Sequence, residues 1–186
     1  MPSLISHTVA GIAAGCAIKN EKTPARLWFL SILSSLLPDA DLIGYYFHVP
    51  YEHFFGHRGF FHSPFFGLLW SILLVSLFFR KEKIFSKYWF RYVLFFFTVT
   101  ASHGLLDAFT DGGLGIALLS PLSNARYFFP WTPIVVSPLS IRMFFGDWGI
   151  AVIKSEALWV WLPSFLAVAM IRLIRKWPGR RINAVE

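Results

Sequence analysis

Tyr92 to Phe109 reads Y-V-L-F-F-F-T-V-T-A-S-H-G-L-L-D-A-F. Entered from Arg91, the run is apolar enough and nearly long enough to serve as a membrane helix. Two groups that can bind a cation, His103 and Asp107, interrupt its far end. They stand four residues apart and so share one helical face. Ionisable side chains inside an apolar span are expensive and mark sites rather than filler. The stretch therefore proposes both a fold, helices in lipid, and a place to look for function.

Four further segments resemble it in length and apolarity: Leu4–Ile18, Leu27–Phe47, Pro64–Phe79 and Ala157–Ile174. The expected fold is an all-α polytopic membrane helical bundle of about five membrane-embedded helices. A single domain covers residues 1–176, and residues 177–186 form a basic cytoplasmic tail. Composition agrees, with 56% hydrophobic, 19% aromatic and only 15% charged residues in a chain of 186. A soluble chain of this size has too little interior to hide so much apolar surface. The aromatic content excludes disorder, and a single cysteine, Cys16, excludes a disulfide framework or a multi-cysteine metal site. Ala13–Cys16 reads A-A-G-C, loosely like a lipoprotein cleavage site, but no positive n-region precedes it, so the first segment is expected to stay.

The net charge of +7 raises the question of nucleic acid. The basic residues instead abut the apolar runs, as topogenic charges do, and form no base-reading surface. If each segment crosses once, one side collects thirteen Lys and Arg and the other four, Arg58, Arg126, Arg142 and Lys154. The positive-inside rule then puts the thirteen-residue side and the C-terminus in the cytoplasm. His7, Asp39, Asp41, His57, His62, His103 and Asp107 fall toward the outer ends of their segments. Asp39 lies thirteen residues beyond Arg26 and His103 twelve beyond Arg91, about 20 Å and 18 Å of helix. Separate segments thus converge on one level of the outer leaflet.

Three motifs carry the chemistry. In L-L-P-D-A-D, Leu36 to Asp41, a proline ends or bends the helix before two carboxylates. Their i, i+2 spacing requires an irregular turn if both are to face one point. In G-H-R-G-F-F-H-S-P, Gly56 to Pro64, Ser63 and Pro64 look like an N-cap and first helical residue. His62 then sits at a helix N-terminus, and Arg58 is placed to hold phosphate. In S-H-G-L-L-D, Ser102 to Asp107, the i, i+4 pair suits two ligands of one metal. Four histidines and three carboxylates without thiolates suit a divalent ion, zinc first and manganese as the alternative. The number exceeds what one tetrahedral ion needs and would serve two. His48 and His53 have no partner motif and read as surface residues. Asn124 and Arg126, in the long outer connection, suit either a substrate headgroup or a structural lid.

The ordered set L-L-P-D-A-D, H-R-G-F-F-H-S, H-G-L-L-D-A-F-T and L-S-P-L-S-N-A-R-Y-F-F-P-W-T-P-I resembles a family of bacterial inner-membrane metal-dependent hydrolases, long known as a domain of unknown function. The likeness spans about His7 to Pro163. It implies a multi-pass inner-membrane protein with a metal-dependent hydrolase site. Where that family usually has threonine in H-R-G-x-T-H-S, this chain has Phe61. The order histidine, aspartate, histidine, H-x-x-x-D is also similar, more distantly, to zinc-dependent phospholipase C and related nucleases, all-helical enzymes with a three-zinc cluster. Carried over, the ligands are His7, one of Asp39 or Asp41, His62, His103 and Asp107, with Glu156 added. No histidine follows His103, so one or two ions are expected.

The combined expectation is a membrane hydrolase acting on a phosphoester, a lipid phosphate or phospholipid, near the outer leaflet. His7, Asp41, His62, His103, Asp107 and Glu156 are its candidate metal ligands, and Arg58, Asp39 and His57 its candidate catalytic residues. Membrane lipids and a lipid substrate are the expected partners, and nucleic acid is not. The rival readings are an ion-binding transporter using the same His/Asp cluster and a non-catalytic interaction protein with a basic cytoplasmic tail.

Overall fold

A computed structural model describes residues 1–18 and 23–176, which form a helical bundle without strands. The basic tail 177–186 and the Lys19–Lys22 cluster lie outside the described residues. The helices are α1 (Leu4–Ile18), α2 (Arg26–Leu36), α3 (Pro64–Phe78), α4 (Lys87–Ala108), the short α5 (Ile141–Phe144), α6 (Asp147–Glu156) and α7 (Leu162–Lys176). A π-helical turn, Ala157–Trp161, joins α6 to α7 without a break.

Local sequence explains the boundaries. Ser63 caps α3 by accepting the Phe66 amide hydrogen at 3.1 Å, with Pro64 in the first turn where its missing N–H costs nothing. Ser86 does the same for α4 through Trp89 at 3.2 Å. Pro38 ends the α-helical winding of α2, and the chain continues as a 3-10 stretch, Leu37–Phe47, closed by His48 in the left-handed region. That stretch supplies the irregular turn required at Asp39 and Asp41, and both side chains are buried.

The apolar core lies between α2, α3 and α4 and is built from Leu27, Leu30, Leu74, Val75, Phe96 and Val99. α1 packs against α2 and α7. The other faces expose large apolar residues, such as Leu69 and Leu73 on α3 and Phe165 and Leu173 on α7. Two helical stretches are long and apolar enough to cross a membrane, the 22-residue Arg26–Phe47 and the 29-residue Asp147–Arg175. Only 6% of the most apolar part of the second is buried against protein, so nearly all of that surface needs another apolar solvent. Among the described residues, two stretches rather than about five thus have the length and apolarity of a full span. α1 and α3 have 15 residues each, about 22 Å against a hydrocarbon core of about 30 Å. α4 has the length but carries Lys87, Arg91, His103 and Asp107. The last helix begins at Asp147 rather than Ala157.

The long connection between α4 and α5 holds together by two isolated bridges, Thr110 with Ile134 and Ile116 with Tyr127. The start of α1, the end of α2, the start of α3 and the end of α4 share one end of the bundle, because His7, Asp39, His62 and Asp107 meet there. Gly104 sets the closest of these approaches. A Cβ at this position would lie 2.3 Å from the His62 carbonyl oxygen. Glycine to alanine inside a helix ordinarily stabilises by about 1 kcal/mol. Here the clash reverses the sign, and Gly104→Ala is expected to destabilise by about 1–3 kcal/mol. Thermal unfolding in detergent measures this, and an unchanged or higher midpoint would show that the turn at 60–62 is free to move.

Candidate metal centre

Each of these segment ends delivers a polar side chain, and all are nearly sealed from solvent. His7, His62, His103 and Asp107 are at most 2% exposed, and Asp39, Asp41 and His57 are each 6% exposed. His103 Nδ1 contacts the Ser35 carbonyl oxygen at 2.7 Å, which directs Nε2 inward. Nε2 lies 3.2 Å from His62 Nε2 and 3.3 Å from Asp39 Oδ1. His62 Nε2 closes the triangle at 3.5 Å from the same carboxylate oxygen. Ligand atoms bonded to a tetrahedral zinc at about 2.0–2.1 Å are themselves about 3.3 Å apart. These three atoms therefore have the mutual spacing of one tetrahedral face.

A second set stands beside the first. His7 Nε2 lies 3.3 Å from Asp107 Oδ1, and the His7 ring stacks on His103 with centroids 3.7 Å apart. Asp107 Oδ2 is 3.6 Å from His62 Nε2, so the two oxygens of this carboxylate face the two sets. Two groups have donor atoms within 4.8 Å of one another, His7 with His103 and Asp107, and Asp39 with His57 and His62. Both oxygens of Asp39, both of Asp107 and both ring nitrogens of His7 are buried without a hydrogen bond. Buried polar atoms are normally paired, and a carboxylate left unpaired is especially costly. A cation among these atoms would satisfy them together.

Asp39 and Asp41 divide the labour differently from the sequence expectation, which placed Asp41 among the ligands and Asp39 among the catalytic groups. Asp41 Oδ1 accepts from His57 Nδ1 at 2.8 Å, and Oδ2 accepts the Arg58 backbone N–H at 3.1 Å. His62 Nδ1 is a further 3.0 Å neighbour of Oδ2. Asp41 is thus spent on orienting the 57–62 loop, and Asp39 has the free oxygens. With three residues per turn, 3-10 winding brings the i, i+2 carboxylates nearer one direction than an α-helix would, and they reach the two nitrogens of the His62 ring. Burial would lower the His62 imidazole, but the carboxylates of Asp41, Asp39 and Asp107 outweigh it and raise it to about 9. For His57, burial outweighs Asp41 and lowers the imidazole below its usual value.

Arg58 also departs from expectation. It is 1% exposed and adopts a left-handed backbone, φ 62°, a conformation with a cost for any side chain bearing a Cβ. Its N–H binds Asp41, its carbonyl accepts from Ala117 at 3.0 Å, and its side chain is locked as well. Nε stands 3.2 Å from Asp107 Oδ2, while the terminal nitrogens donate to the Gly112 carbonyl at 2.8 Å and to Thr110 Oγ1 at 3.2 Å. Gly113, at φ +94°, lies so close that a Cβ would come within 2.7 Å of the guanidinium. These contacts face protein, so Arg58 is a brace for Asp107 rather than an open phosphate fork.

Glu156 is buried, but Ser3 and Ser6 occupy its two oxygens, and it stands in neither donor group. It clamps the first turn of α1. Arg126 donates to the carbonyls of His57 and Tyr51, each at 2.7 Å, and Asn124 donates to Glu52. Both therefore fasten the 51–58 loop, as a structural lid would. His48 and His53 belong to neither donor group. Phe61, in place of the family's threonine, packs edge-on against Phe66 at 5.1 Å. Thr110, the Ser35 carbonyl and Tyr51, whose ring meets His57 edge-on at 5.5 Å, were not singled out in the sequence. Thr110 lies inside H-G-L-L-D-A-F-T, but nothing in its spacing announces an arginine arriving from 52 residues earlier.

Comparison with known proteins leads to the same compartment. No solved structure matches the chain. Inner membrane protein YbcI of Escherichia coli (strain K12) is 38% identical over 176 residues, covering 92% of this chain and 97% of that protein. The family description "YdjM inner membrane protein" matches residues 1–178, from before His7 to beyond the end of α7, and the chain belongs to the YdjM inner membrane protein family.

Proposed function

We propose that this chain is a membrane-embedded, divalent-metal-dependent hydrolase acting on a phosphoester, a lipid phosphate or phospholipid. The carrying observation is the triangle of His62 Nε2, His103 Nε2 and Asp39 Oδ1 at 3.2–3.5 Å, with His7 and Asp107 facing each other alongside at 3.3 Å. The donors are nitrogen and oxygen only, which suits zinc first and manganese second. Asp39, His62 and His103 would hold one ion, and His7 with Asp107 would contribute to it or to a second. Bound there, a divalent ion supplies an activated water and positive charge against a phosphoryl oxygen.

The chain's own residues do the rest. Asp41 fixes the His57 tautomer through Nδ1, leaving Nε2 as the group that can accept or return a proton. Arg58 holds Asp107 in place and offsets part of the buried negative charge. Exposed aromatic residues near the loops, Tyr46, Phe47, Phe55 and Trp131, suit a boundary between water and lipid. The basic-residue count favours an outer-face site and a cytoplasmic C-terminus.

Three expectations test this reading. A reporter fused after Glu186 should be cytoplasmic and one between Gly112 and Gly115 external, and the reverse result would move the substrate to the other leaflet. Detergent-purified protein should bind zinc, tightly in the wild type and in His48→Ala and His53→Ala. Asp39→Asn should lose it, whereas Asp41→Asn should weaken it by about 10–100-fold, the range for groups that orient ligands. Equal loss at Asp39, His48 and His53 would mean that general destabilisation has been read as coordination. In a turnover screen over phospholipids and lipid phosphates, chelation should abolish hydrolysis and zinc restore it. Arg58→Lys should fall below wild type because lysine lacks the planar fork that reaches Thr110 and Gly112, and Arg58→Ala should fall further. Wild-type turnover in both would remove Arg58 from the site, and no hydrolysis of any phosphoester by zinc-loaded protein would overturn the reaction class.

A further inference from the structure

His7 differs from the other site histidines in how it is held. His103 is fixed by the Ser35 carbonyl and His57 by Asp41, and His62 Nδ1 stands 3.0 Å from Asp41 Oδ2 as an ion-pair neighbour. Histidines that bind metal almost always use the second ring nitrogen for such a tether. His7 Nε2 faces Asp107 at 3.3 Å, but its second nitrogen, Nδ1, has no tether, so the ring's aim leans on the backbone of α1. The first turn of that helix is fastened to one residue from the far end of the chain. The Ser3 backbone N–H and hydroxyl donate to the two oxygens of Glu156, the hydroxyl at 2.6 Å, and the Ser6 hydroxyl adds a bond at 2.7 Å. The His7 N–H in turn donates to the Ser3 carbonyl at 3.3 Å.

The π-helical turn completes this arrangement. It begins immediately after Glu156 and ends at Trp161, whose indole N–H donates to Ser6 Oγ at 2.7 Å. The Ser6 hydroxyl thus gives its proton to Glu156 and accepts one from Trp161. One helical segment holds it from two sides. π-turns inside α-helices recur at functional sites.

We infer that Glu156 is a positioning residue for His7: it fixes the first turn of α1 so that an otherwise untethered imidazole meets Asp107 and His103. The inference rests on the metal-centre reading and adds to it a residue that acts without touching the ion.

The test is a thermodynamic cycle on the full-length protein in detergent, with Co2+ alone as the probe and its absorption spectrum as the readout. Glu156→Gln keeps the shape of the side chain but provides one carboxyl oxygen fewer, and Ser6→Ala removes a single donor. Each should weaken Co2+ binding, Glu156→Gln by about 10–100-fold. Combined with His7→Ala, neither should cause further loss, because the effect passes through His7. Combined with Asp41→Asn, each should multiply, because Asp41 acts on other ligands. Losses that multiply with His7→Ala would overturn the inference, as would wild-type affinity in Glu156→Gln together with Ser6→Ala. If Glu156→Gln does not fold, the Ser6→Ala cycle decides alone. Wild-type protein that binds no Co2+ would defeat the metal-centre reading itself, a result distinct from any of these.

Discussion

Three carboxylates and four imidazoles packed at the end of a small helical bundle, none more than 6% exposed, form the constraint on which the rest of the structure depends. A buried carboxylate without a partner costs several kcal/mol, comparable to the whole stability of a domain. The chain meets this only in part with its own groups. Asp41 is satisfied by the loop that comes after it, and Asp107 is approached by Arg58. Asp39 has only the His62 and His103 imidazoles near Oδ1, at 3.5 and 3.3 Å, and no hydrogen bond on either oxygen. The close backbone approach at Gly104, the left-handed Arg58 and the 3-10 winding after Pro38 all bring donor atoms together that would otherwise repel or stay hydrated.

Much of this geometry was legible in the sequence because helices in lipid have few ways to arrange charge. Apolar runs with basic residues at one end and His or Asp at the other already imply that the polar ends share a level, and the i, i+4 spacing put His103 and Asp107 on one face. The contacts that depend on loop conformation could not be read. Nothing in D-A-D says which carboxylate the 57–62 loop will claim, since that depends on 3-10 winding. Arg58 looked like a phosphate ligand because arginine between two histidines suggests an open fork, whereas a positive φ turns it toward Thr110 and Gly112. Glu156 was added to the ligand set carried over from the distant resemblance, and nothing in its own sequence announced the two serines at the other end of the chain that occupy it.

The helix lengths bear on the membrane in a similar way. Only Arg26–Phe47 and Asp147–Arg175, among the described residues, have the length and apolarity of a full span, while α1 and α3 are shorter than the hydrocarbon core. The short helices end on the site, whose side chains are buried from solvent. Around such a site low polarity strengthens every electrostatic contact, including the bracing of Asp107 by Arg58.

The bond between Ser3 and Glu156 spans 153 positions of sequence, and this orders the assembly of the molecule in time. α1 precedes α6 in the order of synthesis, so the partner that fastens it is made only after the helices between them have emerged. Until then the first turn of α1 lacks the carboxylate that clamps Ser3 and Ser6. Truncation within α6, before Glu156, would leave α1 permanently without that clamp.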